Sequence, residues 1–407
     1  HMLDLATIRA QFPALQQQVH GKPLVYLDNA ATTQKPQAVL DALLHYYTYD
    51  NANVHRGIHK LAERATVALE RTRKAVQEFI HAADEAEIIF TAGATAGINL
   101  VATAYGQAHV QAGDEIIIGH AEHHANIVPW QMLCKARGAV LKVIPTNDAG
   151  ELSLPAFEAL LTARTKVVAL HYVSNTLGTI QPIQEIIHKA HAQDAVVLVD
   201  AAQAAAHLPI DVQALDCDFL VFSAHKVYGP TGVGILYGKK DLLARMPPYQ
   251  GGGEMIQEVT LERTTYNELP YKFEAGTPNI AGIVAFSAAL HFIEQVGHEN
   301  IRLHENKLLN FAYEQLRSLR AVRILGSGAH HNVGIISFVI QGVHHLDAGM
   351  LLDAQGIAVR TGHSCTQPLI ARLGVEGVIR ASIALYNTQE ELATLASSVA
   401  RIAQGKL

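Results

Sequence analysis

The chain contains little cysteine. Only three of its 407 residues are cysteine, and Cys134, Cys217 and Cys365 lie far apart with no CxxC pair. Three cysteines are too few for a disulfide scaffold, and their spacing does not suit a structural zinc site. The sequence therefore predicts a protein of a reducing, cytoplasmic compartment with at least one free thiol.

Long apolar runs and an excess of positive charge are also missing. No stretch approaches the ~20 apolar residues that span a bilayer, and the first residues lack the basic segment and apolar core of a signal peptide. Lys and Arg number 31 against 37 Asp and Glu, which gives a formal net charge of −6. Because nucleic acids and anionic membranes bind basic surfaces, we expect neither as a partner.

The pattern of the chain predicts an α/β fold. Hydrophobic residues make up 49% of it and charged residues 17%, the balance of a compact globular protein. From about residue 85, short β-branched runs alternate with amphipathic helical patterns, which is typical of a mostly parallel sheet covered on both faces. The predicted strands lie at residues 87–90, 115–118, 140–144, 166–170, 196–199, 219–222 and 234–237.

A second, smaller α/β unit is predicted in the C-terminal third. Its strands are expected at residues 335–340, 357–360 and 380–385, with a helix at 346–355 and a last helix that opens on the capping box Thr388 to Glu391. We expect a large domain at residues 26–290 and a small one at 291–407. Residues 1–25 are expected to pack on the small domain, with the large one as the alternative.

Two polar residues end neighbouring strands of the predicted large sheet. The run VVLVD ends at Asp200, and FLVFSAHK ends at Lys226. Open α/β sheets bind ligands at this edge. An Asp there can pair with a protonated pyridine nitrogen and a Lys can form a Schiff base with an aldehyde, the two partners that pyridoxal phosphate (PLP) requires. Either residue alone would equally suit a helix cap or a solvated loop, so the pair carries the prediction.

Further groups suit the phosphate and ring of the same cofactor. Ser223 and His225 flank the lysine, and residues 91–97 form a Gly/Ala/Thr turn before a helix, where free N–H groups can meet an anion. This turn is no Walker or GxGxxG motif, so ATP and dinucleotides are disfavoured. For His123 and His124 no carboxylate completes a metal site, and we predict no metal. One imidazole is expected to stack on the ring and the other to be a core residue.

Six motifs together resemble one enzyme family. AEHHANIVPW, VSNTLGT, VDAAQ, SAHKVYGPTG, FEAGTPN and RTGHSC are similar to the class V, fold-type I PLP enzymes, and within them to the Suf-type (group II) cysteine desulfurases, which also act on selenocysteine. The resemblance runs from about residue 27 to the end of the chain. It implies a homodimer that takes sulfur from L-cysteine for iron–sulfur cluster assembly. It also implies delivery to a sulfur-acceptor protein of the SufE or SufU type.

The resemblance also implies a role for each matching residue. In catalysis, Lys226 would bind PLP and move the Cα proton, Cys365 would receive the sulfur, and His123 would stack on the ring. The remaining cofactor ligands would be Thr95, Asp200, Gln203, Ser223 and His225, with Thr277 contributed by the other subunit. Substrate would be bound by Arg380 with Asn175, and bordered by Arg360 and Arg56.

Several positions depart from the family pattern, and alternatives stay open. Ser364 stands where a His often precedes the cysteine, Ala94 and Ala96 replace a Thr and a Glu, and Ala201 and Ala224 replace glycines. Cys365 could instead be a buried, inert thiol, as we expect for the other two cysteines. The chain could then be a class V lyase or transaminase without a sulfur relay, or a catalytically silent docking homologue. The sequence sets neither the acceptor nor a preference between cysteine and selenocysteine.

Overall fold

The structure, a computed structural model, describes residues 3–326 and 332–407. Its strands are β1 (Gln18–Val19), β2 (Lys22–Pro23), β3 (Val25–Tyr26), β4 (Ile88–Thr91), β5 (Glu115–Gly119), β6 (Val140–Ile144), β7 (Thr165–His171), β8 (Val196–Asp200), β9 (Phe219–Ser223), β10 (Gly234–Gly238), β11 (Ile256–Val259), β12 (Thr264–Tyr266), β13 (Val322–Leu325), β14 (Ile335–Ile340), β15 (Ile357–Ala358), β16 (Arg360–Gly362) and β17 (Val378–Ser382).

Helices cover both faces of the strands. They are α1 (Leu5–Ala10), α2 (Gln37–His45), α3 (Lys60–Phe79), α4 (Ala94–Leu100), α5 (Gly106–His109), α6 (Val128–Arg137), α7 (Leu154–Leu160), α8 (Ile183–Ala192), α9 (Val212–Leu215), α10 (Lys240–Arg245), α11 (Ile280–Val296), α12 (His298–Arg317), α13 (His345–Ala354), α14 (Gln367–Arg372) and α15 (Gln389–Ala403). No single helix of the described ranges is long and apolar enough to cross a membrane. The bent pair α11 and α12, at 77°, would pass that test together by length and composition.

The large sheet has the strand order β4-β10-β9-β8-β7-β5-β6 within the described residues. All neighbours are parallel except β10, which is antiparallel to both β4 and β9. Along β8, Val197 and Val199 face one apolar core while Val196 and Leu198 face the other. All seven strands predicted for this part of the chain are present, and the expectation of a sheet buried on both faces is confirmed.

The smaller sheet has the order β13-β14-β17-β16 in the part of the chain that is described, and its pairs are antiparallel. The predicted single strand at 357–360 is wrong. Its first half, β15, pairs with β3, and its second half, β16, pairs with β17. The chain changes partner there because the backbone N–H groups of Val25 and Leu27 bond to Gly356 and Ala358. The capping box of α15 is confirmed.

The N-terminal segment packs against the main apolar core and also contacts α15. Phe12 is fully buried against Phe292 and Tyr386 of the main core. Arg9 forms an ion pair with Glu391 of α15 at 3.0 Å. The division into domains at residue 290, and the assignment of residues 1–25 to the smaller one, stay predictions. Residues 1–2 and 327–331 of those ranges lie outside the described residues.

Candidate functional site

One cavity of about 400 Å³ lies at the carboxyl ends of β7, β8 and β9, where the smaller sheet meets the larger one. Open α/β sheets place their ligands at this edge. The structure brings eleven predicted site residues to its wall, and these are Thr95, His123, Asn175, Asp200, Gln203, Ser223, His225, Lys226, Arg360, Cys365 and Arg380. Two predicted residues, Thr277 and Arg56, are not part of this wall.

Lys226 ends a short turn that follows β9, and its amine faces the cavity. Burial, with a further contribution from the positive charge of Arg380, lowers the pKa of Lys226 to about 8. The amine has no hydrogen-bond partner among the described residues. A lysine of this kind loses its proton near neutral pH and can then act as a nucleophile or a base.

Asp200 and Gln203 form the deep wall of the cavity. Oδ1 of Asp200, at the end of β8, accepts the N–H of Ala202 at 3.0 Å, and burial raises the pKa of this carboxyl. Gln203 donates to the carbonyl of Ala30 at 2.8 Å, which fixes its amide. An Asp in this place gains from a positively charged partner such as a protonated pyridine nitrogen.

The opposite end of the cavity suits a phosphate. After β4, Gly93 precedes α4, and the N–H of Ala94 donates to Oγ of Ser223 at 2.8 Å. A Cβ on Gly234 would lie 2.4 Å from the backbone of Gly93, so only a glycine lets the two strands approach here. With Thr95 and His225 in the wall, backbone and side-chain donors converge at the start of a helix. The donor set and Lys226 therefore fit PLP.

The alanines that replace family glycines do not narrow the cavity. Ala201 and Ala224 are fully buried in the main apolar core and are absent from the cavity wall. Ala94 is part of the wall. Ala96 lines a second cavity beside Gly276 and Pro278.

His123 and His124 have different surroundings. Nδ1 of His123 accepts the N–H of Ala125 at 3.0 Å, and burial lowers the pKa of His123 to about 4, so the ring is neutral where it lines the cavity. The expectation that the second histidine is a core residue is wrong. The backbone N–H of His124 donates to the carbonyl of Cys365 at 2.8 Å, and its Nε2 accepts the N–H of Gln367 at 3.1 Å.

Two arginines face each other across β16 and β17. Arg360 and Arg380 are directly paired residues, so their side chains share one face. Asp28 contacts both, at 2.7 Å from Arg360 and 3.9 Å from Arg380. Burial lowers the pKa of Arg380 to about 10, which leaves it charged at neutral pH. Its Nη1 donates to the carbonyl of Asn175, and its buried Nε has no partner in the described structure. A substrate carboxylate would satisfy this donor.

Cys365 is exposed and lies in the loop between β16 and α14. Ser364 and Cys365 both have left-handed backbones, at φ 52° and 56°, which costs about 1–3 kcal/mol each. The amide of Asn175 donates to the carbonyl of Ser364 at 2.7 Å. This bond and those of His124 hold the strained loop against the large sheet. Cys134 and Cys217 are buried, as predicted.

Sequence reasoning missed three buried polar residues near the site. Asp28 orients both arginines, and His171 at the end of β7 lines the cavity and contacts the buried Glu122. A polar residue at or just beyond the end of a strand was the available signal for His171 and Asp28. The predicted residue Thr277 instead contacts Asn53 at 3.2 Å on the surface.

Comparisons with known proteins agree with this geometry. Residues 25–395 match the family described as Aminotransferase class-V. The chain is 49% identical to a probable cysteine desulfurase of Vibrio cholerae, with 98% of each chain covered. It is 51% identical to a probable cysteine desulfurase of Mycolicibacterium paratuberculosis over 99% of its own length. It spans only 59% to 66% of the length of that relative and two others, from Mycobacterium leprae and Synechococcus elongatus.

Solved structures give the same assignment. The cysteine desulfurase CsdA (S-sulfonic acid) of Escherichia coli superposes with a TM-score of 0.93 at 40% identity, with each chain fully covered. The position of the cavity, at the carboxyl ends of the parallel strands, is the one where open α/β sheets bind their ligands. The chain therefore belongs to the class-V aminotransferase family of fold-type I PLP enzymes.

Proposed function

We propose that the protein is a PLP-dependent cysteine desulfurase that converts L-cysteine to L-alanine and retains the sulfur as a persulfide on Cys365. The observation that carries the proposal is the position of an exposed cysteine, on a loop held in a strained conformation, in the wall that also contains Lys226 and Asp200. A silent docking homologue has no need of this arrangement.

The cavity residues would hold the cofactor at three places. Lys226 would bind its aldehyde, Asp200 its ring nitrogen and Gln203 its phenolic oxygen, while the neutral ring of His123 stacks on the face. Thr95, Ser223 and His225 would bind the phosphate. When bound, PLP supplies an electron sink for the bonds at the substrate's Cα.

The remaining steps belong to the side chains. Arg380 binds the substrate carboxylate, with Asn175 and Arg360 beside it, and Lys226 as a neutral amine removes the Cα proton. The Cys365 thiolate attacks the substrate sulfur, so that an S–S bond forms as the Cβ–S bond breaks. The electron pair of the broken bond stays with the three-carbon fragment, which takes up protons and leaves as alanine.

Arg380→Ala is expected to raise KM for L-cysteine by about 10- to 100-fold, because a charge-assisted bond to a buried carboxylate contributes about 1.5–3 kcal/mol. Arg380→Lys should recover only part of this loss, since a lysine cannot bind bidentately. Steady-state kinetics measure the effect. Arg360→Ala is the matched comparison, and its effect should be smaller because the Arg360 side chain is 51% exposed. Equal KM values for all three variants would contradict the assignment.

The product of turnover tests the proposed function itself. With L-cysteine and a reductant, the proposal predicts alanine and sulfide in equal amounts. Pyruvate and ammonia would instead support a class V lyase, and formation of a 2-oxo acid that keeps its sulfur would support a transaminase. No turnover and no bound PLP would support the silent homologue. L-Selenocysteine in the same assay tests whether the second substrate is also used.

The proposed assembly is a homodimer in which Thr277 of the other subunit completes the phosphate site. In support, Thr277 lies outside the cavity of its own chain, and the apolar side chain of Ile58 is fully exposed. Arg56, bonded to the carbonyl of Ile256, lies on the surface as well. Light scattering of the purified protein should give twice the 44.0 kDa chain mass. A monomer with full PLP occupancy would contradict this assembly.

We propose a SufE- or SufU-type protein as the sulfur acceptor, with iron–sulfur cluster assembly as the cytoplasmic use of the sulfur. The exposed position of Cys365 would let an acceptor thiol reach the persulfide directly. Each acceptor type, added without other reductants, should raise the turnover rate if it is the partner.

A further inference from the structure

A chain of hydrogen-bonded side chains lies beside Asp200 and has no part in the roles assigned above. His171 ends β7 and is the direct neighbour of Asp200 on β8. Its Nδ1 lies 2.5 Å from Oε2 of Glu122, a residue with 0% exposure. The other carboxylate oxygen of Glu122 accepts from the amide of Asn126 at 2.8 Å. His171 also forms part of the cavity wall.

The directions of these bonds are fixed at the Asn126 end by a group that can only donate. The indole N–H of Trp130 donates to Oδ1 of Asn126 at 2.8 Å. The amide nitrogen of Asn126 must then face Glu122, so that Glu122 accepts.

The other end is fixed by the backbone. Oε1 of Gln181 accepts the N–H of Leu152 at 3.0 Å, and its Nε2 donates to the carbonyl of Gly150 at 2.7 Å. The same Nε2 lies 2.9 Å from Nε2 of His171, which must therefore accept. Reversing the Gln181 amide would place its nitrogen against the N–H of Leu152 and its oxygen against the carbonyl of Gly150. Against the cost of burial, the negative charge of Glu122 raises the pKa of His171, but a second ring proton on Nε2 would point at the amide N–H of Gln181. The hydrogen bonds therefore keep His171 neutral, with its proton on Nδ1 and directed at Glu122.

Glu122 consequently receives donors on both oxygens and has no cation as a direct partner in the described residues. Both oxygens act as acceptors, which is the role of a carboxylate rather than of a carboxylic acid. Gly119, at the end of β5, leaves room for the Glu122 carboxylate, because a Cβ at this position would lie 2.4 Å from Oε2 of Glu122. The fold therefore keeps a negative charge buried beside the carboxyl of Asp200.

We propose that this Glu122–His171 pair is a positioning device that supplies a second negative charge next to Asp200 and so keeps the ring nitrogen of bound PLP protonated. A buried anion needs compensating positive charge, and a protonated ring nitrogen at Asp200 provides it. Among the described residues, the other charged group that acts on Asp200 is Lys226, which in turn faces the positive charge of Arg380. The inference rests on the proposed function for its use of PLP, but the tautomer of His171 does not depend on it.

Nitrogen NMR of the full chain labelled with ¹⁵N-histidine tests the bonding first. The His171 signals, assigned by their loss in His171→Asn, should show one protonated and one unprotonated ring nitrogen at neutral pH. Two protonated nitrogens would overturn the proposal, because the pair would then be neutral overall. This result is obtained whether or not the protein is a desulfurase.

A pH titration of the PLP-loaded protein tests whether Glu122 supplies a negative charge beside Asp200. The quantity measured is the pH midpoint of the change in visible absorbance. Glu122→Gln removes a negative charge from the surroundings of Asp200. The surroundings of Asp200 become more positive in PLP-bound protein, and the substitution should lower the midpoint by roughly one pH unit. Glu87→Gln, which removes a buried carboxylate at the opposite edge of the sheet, should leave it unchanged. An unchanged or raised midpoint in folded Glu122→Gln would overturn the proposal.

Discussion

Lys226→Ala is expected to lower alanine formation from L-cysteine by more than about 10³-fold. The variant loses both the covalent attachment of PLP and the base that moves the Cα proton. No other amine is part of the cavity wall among the described residues. Product analysis measures the loss, and the visible absorbance of covalently bound PLP should disappear with it. Lys239→Ala, which removes a surface ion pair with Asp216, is the matched control and should keep both signals.

The pH dependence of turnover follows from the same amine. Because the pKa of Lys226 is lowered to about 8, its neutral form grows between pH 7 and pH 9. A proton transfer that limits the rate should accelerate over this window and level off above it. A profile that falls as the pH rises through 8 would show that the neutral amine is not the acting form.

Cys365→Ser is expected to lower alanine formation by about 10²-fold or more, because a serine hydroxyl is far less nucleophilic than a thiolate at neutral pH. Binding of L-cysteine should persist, since Lys226 and Arg380 are untouched, and the PLP absorbance should still respond to substrate. Cys134→Ala, at a buried position outside the cavity, is the control and should turn over normally. Full turnover by Cys365→Ser would favour the class V lyase or transaminase instead.

The parts of the fold that could be predicted are those encoded locally. Each strand of the large sheet is an apolar run bounded by polar residues, so its position is evident from the sequence, and Asp200 and Lys226 follow from the ends of two such runs. The prediction of one strand at 357–360 failed because its first half pairs with the distant segment β3 and its second half pairs with β17. The sequence of a short strand does not show which other strand it pairs with.

Contacts between distant segments limited the prediction of the site in the same way. The contacts of Asp28 with Arg360 and Arg380 join residues more than three hundred positions apart. The bonds from His124 to the cysteine loop, and the orientation of His171 by Gln181, likewise depend on tertiary packing. The residue types were visible in the sequence, but their partners were not.

The central claim is that Cys365 receives the sulfur of L-cysteine. Mass spectrometry of peptides from PLP-loaded protein, incubated with L-cysteine and no reductant, tests it most directly. The account predicts one added sulfur atom on Cys365, none on Cys134 or Cys217, and none anywhere in Lys226→Ala. Alanine that accumulates while Cys365 stays unmodified, or sulfur found on another cysteine, would contradict it.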